Sequence, residues 1–123
     1  MRFILVGLLV STAAACGSDP SPSAACNQIV VATCAKFYEC LTAAELASIG
    51  YPASEAACVT QQEQMAGCAN QTAANACTGN ETYHGDQVDP CDSQIKGLEC
   101  SQIRDPAFNI DNAAPACNKV CSI

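Results

Sequence analysis

The chain has 123 residues, eleven of them cysteine, and carries a formal net charge of −7. The length favours one modest domain, and the charge disfavours binding to nucleic acid or anionic headgroups, because both require a basic surface. With no tryptophan and 5% aromatic residues, an unaided apolar core would be marginal, so we expect disulfides to dominate the stability.

The first fifteen residues have the layout of a secretory signal. Arg2 supplies a positive charge, residues 3–10 (FILVGLLV) form an unbroken apolar run, and residues 11–15 are small and weakly polar. Eight apolar residues fall well short of the ~20 that a membrane-spanning helix requires. Residues 1–15 are therefore predicted to be a signal peptide.

The cysteine count points to a special role for Cys16. Residues 13–17 (AAACG) resemble a bacterial lipobox, in which small residues precede a cysteine that becomes the acylated N-terminus, although Ala13 stands where leucine is usual. The same residues fit an ordinary A-x-A cleavage site, which would leave Cys16 as a free thiol. An exported protein has few unpaired thiols, and eleven is an odd number, so parity favours lipidation of Cys16.

Residues 16–25 are predicted to be the lipidated cysteine and a flexible linker. Residues 17–25 (GSDPSPSAA) contain no large apolar side chain, a composition typical of disordered or polyproline-like segments. Residues 26–123 would then form the disulfide-rich domain. Loss of Arg2 with the signal leaves four basic and twelve acidic residues, a net charge of −8, which is ordinary for a soluble surface.

The apolar pattern of this domain predicts an all-α fold, a disulfide-stapled bundle of about four helices. The first helix, residues 26–41, has an apolar stripe that carries three cysteines. Thr42 and Glu45 fit a capping box before a short helix over residues 43–49, and Gly50 supplies a left-handed stop. Ser54 is expected to cap a third helix that runs to Gly67.

The remainder is predicted to contain one more full helix and an irregular tail. Asp89 followed by Pro90 is a start signal, cap and first helical residue, for a helix ending near residue 99. Residues 78–88 are expected to be the longest loop, and residues 107–123 a mostly irregular tail. No run alternates with period two, so no strand is expected.

Antiparallel packing of the early helices predicts that Cys40 pairs with Cys58, because the end of one helix meets the start of the next long one. By the same geometry Cys26 should lie near Cys68 or Cys77, and that choice stays open. The spacing Cys58-x9-Cys68 is that of one leg of a helical hairpin, but no second leg has the same spacing.

A helical wheel continued over residues 90–100 places Cys91 and Cys100 on opposite sides. Cys100 is therefore predicted to pair with Cys117, the alternative later partner being Cys121, and Cys91 is predicted to face the core, with Cys34 as the central candidate. Ten cysteines allow too many connectivities for the sequence to settle all five pairs.

The chain resembles small, all-helical, cysteine-rich lipoproteins of Gram-negative bacteria. It shares with them the lipobox, the Pro/Ser spacer, the spacing Cys34-x5-Cys40, and the sequence Glu-Ala-Ala before Cys58. The late cysteines Cys91 and Cys100, followed by Pro-Ala-Cys, complete the pattern. The resemblance implies export and anchoring at the outer membrane or cell surface, with which Gly17 after Cys16 agrees. It implies no activity.

No catalytic or metal site is predicted. His84, the only histidine, lies in a loop with Glu81, Asp86 and Asp89 at spacings that define no metal geometry. A solvated loop with a capping Asp89 explains these residues better. There is no Gly-x-Ser-x-Gly, and paired cysteines leave no thiolate. We therefore expect no enzyme, no metal and no cofactor.

Two functions agree with these features. The first is a lipid-anchored extracytoplasmic interaction or structural module of the cell envelope, whose partners are the membrane and an unknown protein. The alternative is a carrier of a small apolar ligand, such as a lipid or sterol-like molecule, in a cavity pinned by disulfides. Helices rich in alanine pack closely rather than enclose a cavity, which favours the first.

Overall fold

The computed structural model describes residues 17–123. The predictions for the signal peptide and for lipidation of Cys16 lie outside these described residues. The all-α fold is confirmed. Within the described part six α-helices occur: α1 Pro22–Cys40, α2 Ala43–Ser48, α3 Glu55–Ala66, α4 Val88–Gly97, α5 Cys100–Ile103 and α6 Ile110–Ala113.

A two-residue antiparallel ladder was not expected. Strand β1 (Thr82–Tyr83) pairs with β2 (Cys121–Ser122), and Tyr83 lies opposite Cys121. The His84 amide continues the pairing by donating to the Val120 carbonyl at 2.8 Å. Strands of two residues are too short to show a period of two, which is why the sequence pattern did not reveal them.

Helix α1 begins four residues before its predicted start, so the predicted linker is too long. The Ser21 hydroxyl accepts a hydrogen bond from the Ala24 amide at 3.3 Å, and Pro22 occupies the first helical position. This serine and proline are a favourable helix start. Ala25 is 1% exposed, and residues 22–25 therefore belong to the folded domain.

The centre of the fold is α1, which packs against α3 on one side and α4 on the other. Two disulfides join α1 to α3 and to the turn that follows it, in reversed order along the chain, so the two helices are antiparallel. On the other side an apolar cluster joins α1 to α4 and to the C-terminal segment. Its buried members are Ala25, Ala32, Val88, Cys91, Ile95, Ala114 and Val120.

A second apolar cluster closes the C-terminal end of α1. Cys40, Leu98 and Ile103 are buried there. The Phe37 ring meets the rings of Tyr51 and Phe108 edge to face, with centroids 5.4 and 6.1 Å apart. This cluster packs Tyr51 and the 98–110 segment around the end of α1.

The predicted ends of α2 and α3 are confirmed. The Thr42 amide donates to the Glu45 carboxylate at 2.7 Å, and the Glu45 amide donates to the Thr42 hydroxyl at 3.3 Å. Ser54 caps α3, and Gly67 ends it with φ of 65°. Each of these capping and stop signals depends on hydrogen bonds and backbone preferences within four residues. The helix ends they predict therefore do not depend on tertiary packing.

The predicted ends of α4 are wrong by a few residues. A 3₁₀ turn over Gly85–Gln87 leads directly into α4, so Asp89 lies in the first turn rather than at the cap. Its carboxylate accepts a hydrogen bond from the Gln28 side chain at 3.1 Å. At the other end Leu98 is extended, with ψ of 137°. The chain therefore changes direction before Cys100.

All ten cysteines of the described part are paired with one another. Cys26 pairs with Cys68, one of the two alternatives left open by the sequence. The predicted pair Cys40–Cys58 is wrong, because α3 overlaps α1 along its length and brings Cys58 to the middle of α1 rather than to its end. The five pairs are Cys26–Cys68, Cys34–Cys58, Cys40–Cys100, Cys77–Cys121 and Cys91–Cys117.

The predictions Cys100–Cys117 and Cys34–Cys91 are also wrong. The helical wheel that separated Cys91 from Cys100 continued the helix through Leu98, where the chain leaves it. Cys100 consequently starts α5 and faces Cys40, while Cys91 reaches Cys117 in the tail. The Cys91–Cys117 disulfide thus joins the C-terminal tail to the buried side of α4.

Candidate functional site

An open apolar groove of about 330 Å³ lies beside the N-terminal half of α1. Ile29 and Val30 contribute the α1 surface, and Ala66 contributes the end of α3. Tyr83 and Val120 come from the region of the two-stranded ladder. None of the described residues that line the groove carries a formal charge, so the groove offers an apolar ligand a surface without competing ion pairs.

The groove is framed by covalent cross-links. Cys26, Cys117 and Cys121 line it, and each belongs to a different disulfide. Three of the five disulfides therefore hold its sides in place. We infer that the groove is present before any ligand binds, because opening or closing it would require movement of cross-linked segments.

The N-terminal segment is docked at the rim of this groove. The Tyr83 hydroxyl donates a hydrogen bond to the Pro20 carbonyl at 2.5 Å. Burial raises the pKa of Tyr83, and the nearby Asp19 carboxylate raises it further, so the phenol stays protonated and remains a donor at neutral pH. Pro22 itself lines the groove.

Gly85 leaves room for this docked segment. A Cβ atom at Gly85 would lie 2.7 Å from the Asp19 Cβ and 3.1 Å from the Pro20 carbonyl oxygen. Such contacts are shorter than side chains tolerate. Residues 19–20 therefore cross the loop at a position that has no side chain, and close packing sets their path.

A second cleft, of about 400 Å³, lies where α3 ends against α1. Polar side chains contribute to its lining, among them Asn27, Thr60, Glu63 and Asn70. These groups can donate and accept hydrogen bonds, but Glu63 is the only charged residue among them. The cleft lacks the convergent charged or nucleophilic groups of a catalytic site.

The loop around His84 does not bring metal-ligating or catalytic groups together. The His84 Nε2 atom is buried without a hydrogen-bond partner. The Asp86 carboxylate accepts a hydrogen bond from the Gln87 side chain at 2.7 Å, and the Asp89 carboxylate accepts one from the Gln28 side chain. Among residues 17–123 no three histidine, cysteine or carboxylate side chains are grouped as metal ligands. Within the same range no helix has the length and apolar character needed to cross a bilayer.

Sequence reasoning assigned the groove residues to other roles. Ile29 and Val30 were part of the apolar stripe of the first helix, while Tyr83 and Val120 fell in a predicted loop and tail. No periodic signal connects these segments, because Val30 and Tyr83 lie 53 residues apart and Tyr83 and Val120 lie 37 residues apart. The disulfides bring them together, and the pairing was the least predictable feature of the sequence.

The chain matches no protein-family model, no curated protein and no solved structure. The structure itself shows a small helical, cysteine-rich protein with five disulfides. Cross-linking of this density is typical of an oxidising, extracytoplasmic environment.

Proposed function

We propose that this protein is a lipid-anchored interaction module of the cell envelope. It is exported, acylated at Cys16, and held at the outer membrane or cell surface of a Gram-negative bacterium, without catalytic activity. One observation carries the proposal. The ten cysteines of residues 17–123 are all paired with one another, so none is left to form an intramolecular disulfide with Cys16.

The construction of α3 supports a role in interaction. Of its twelve residues only Cys58 is buried, and disulfides at Cys58 and Cys68 attach the helix to α1. Most of the helix surface is therefore open to a partner. A helix fixed by cross-links loses little conformational entropy on binding, which favours affinity.

A carrier of a small apolar ligand is the second candidate, and the groove beside α1 favours it. The groove has aliphatic walls and a set shape. It has no basic residue in its lining to hold an anionic headgroup, and the exported chain has a net charge of −8. The negative charge on the headgroup of a free fatty acid or anionic phospholipid would therefore have no positively charged partner in the groove.

The anchor is tested by mass spectrometry of the protein extracted from membranes of the producing cell. We expect residues 1–15 to be missing and Cys16 to carry acyl chains, while a Cys16→Ser variant should be found in the soluble fraction. A soluble wild-type product with an unmodified Cys16 thiol would contradict the proposal. Saturable uptake of a hydrophobic dye by the acylated wild-type protein, at one site per molecule, would favour the carrier.

A further inference from the structure

We infer that the apolar groove beside α1 binds an acyl chain attached to Cys16, so that the domain can hold part of its own anchor. This inference rests on the lipidation of Cys16 proposed above. It assigns the groove one occupant, a hydrocarbon chain covalently joined to the same polypeptide.

The path of the chain delivers the anchor to the groove. Pro22 lines the groove, and Pro20 is held at the rim by Tyr83, whose ring also lines it. Cys16 precedes Pro20 by four residues, so the two lie at most about 13 Å apart at ~3.3 Å per residue. The start of an acyl chain on Cys16 is therefore within reach of the groove, whose lining includes Pro22.

The chemistry of the lining selects this occupant over a free amphiphile. Ile29, Val30, Ala66 and Val120 supply aliphatic surface, and no lining residue is charged. A carboxylate or phosphate brought by a free lipid would meet a domain of net charge −8 without a lysine or arginine in the groove. The acyl chain on Cys16 brings no charge.

Tethering adds a further advantage. A group attached through a short flexible segment has an effective concentration on the order of millimolar at a site within its reach. A chain on Cys16 thus competes well with lipid monomers in solution. When the groove holds it, fewer chains remain for the bilayer, and because stable anchoring requires two membrane signals, residence on the membrane becomes more readily reversible.

The test is photo-cross-linking within the lipidated full-length protein. Producing cells are fed a fatty acid with a diazirine near its methyl end, and the protein is purified from membranes, checked for acylation of Cys16 by mass spectrometry, irradiated and peptide-mapped. We expect cross-links from the Cys16 chain to peptides that contain Ile29 and Val30 or Val120 and Cys121.

Matched variants separate binding in the groove from chance contact. Val30→Trp fills the groove and should abolish these cross-links, whereas Val31→Trp, at a neighbouring position that is 47% exposed and does not line the groove, should preserve them. Ala66→Phe fills the groove from α3 and replaces Val30→Trp if circular dichroism shows that the latter is misfolded.

The remaining outcomes are distinct. If Cys16 is acylated but its chain cross-links only to detergent, co-purified lipid, another protein or surfaces outside the groove, the inference is wrong and the proposed anchor stands. Persistence of groove cross-links in both filled variants also overturns it. Absence of acyl chains on Cys16 overturns the anchor and the inference together.

Discussion

Cys34 on α1 is bonded to Cys58 on α3, and both residues are 0% exposed. Together with Cys26–Cys68 this bond makes an antiparallel helical hairpin with two cross-links. Its legs have unequal spacing, eight residues on α1 and ten from Cys58 to Cys68. Only Cys58 is buried among the residues of α3, so these bonds contribute more than apolar burial to holding the hairpin together.

Removal of the Cys34–Cys58 disulfide should destabilise the protein more than removal of Cys77–Cys121. Chain entropy alone predicts the reverse by about 0.5 kcal/mol, since the loops span 24 and 44 residues. Replacing Cys34 and Cys58 by serine, however, buries two hydroxyl groups, and each unsatisfied one costs about 1–3 kcal/mol. Urea denaturation of the two double-serine variants should show this order. An equal or larger loss in the Cys77/Cys121 variant would mean that loop closure dominates.

The Cys77–Cys121 disulfide should be the first to be reduced. Neither of its cysteines is buried, whereas each of the other four bonds includes one cysteine that is at most 1% exposed. Thiol–disulfide exchange requires access of the attacking thiolate to a sulfur atom. Mild dithiothreitol treatment followed by alkylation and peptide mapping should label Cys77 and Cys121 before any other pair. Earlier labelling of Cys26 or Cys68 would show that local opening, not static exposure, sets the order.

Gly85→Ala should release the N-terminal segment from the loop. The added Cβ would clash with Asp19 and the Pro20 carbonyl, at a cost of about 1–3 kcal/mol for overpacking. Hydrogen exchange at the amides of residues 18–25 should accelerate. Gly97→Ala is the matched control, because no atom lies within 4 Å of its added Cβ. Unchanged exchange in Gly85→Ala would show that the segment does not depend on this contact.

The α2 cap should weaken in acid. Hydrogen bonds from the Thr42 amide and side chain lower the pKa of Glu45. A folded-state pKa below the unfolded one contributes stability that is fully present above the unfolded pKa and is lost as the pH falls through the folded pKa. Glu45→Gln retains the capping geometry without this titration. The difference in unfolding free energy between wild type and Glu45→Gln should therefore change in that acidic window and be constant near neutral pH. A constant difference throughout would contradict the lowered pKa.

Local signals allowed much of the helical fold to be predicted. The Thr42 box, the Ser54 cap and the stop at Gly67 lie where expected, because each depends on hydrogen bonds and backbone preferences within a few residues. Ser21 and Pro22 form a start signal of the same kind. The surrounding composition resembles a linker, so this signal does not stand out in the sequence.

The partners of the cysteines could not be predicted in this way. The sequence predicted neither that α3 lies alongside α1 over its length nor that Leu98 turns the chain toward Cys40. The second leg of the hairpin, Cys26 to Cys34, differs in spacing from Cys58 to Cys68, so a rule of equal spacing does not identify it. Two antiparallel helices need only bring the Cα atoms of each cysteine pair to a separation that a disulfide can span. These separations are 5.3 Å for Cys26–Cys68 and 6.1 Å for Cys34–Cys58.

Sequence alone therefore determined that the chain is a small, acidic, helical protein held together by disulfides, because composition and short-range hydrogen bonding suffice for those properties. Only the tertiary structure decided which cysteines pair, that residues 19–20 dock against Gly85, and that Val30 and Val120 share an apolar groove. These features depend on contacts between segments distant in the chain. Their geometry is set by how all the helices pack together.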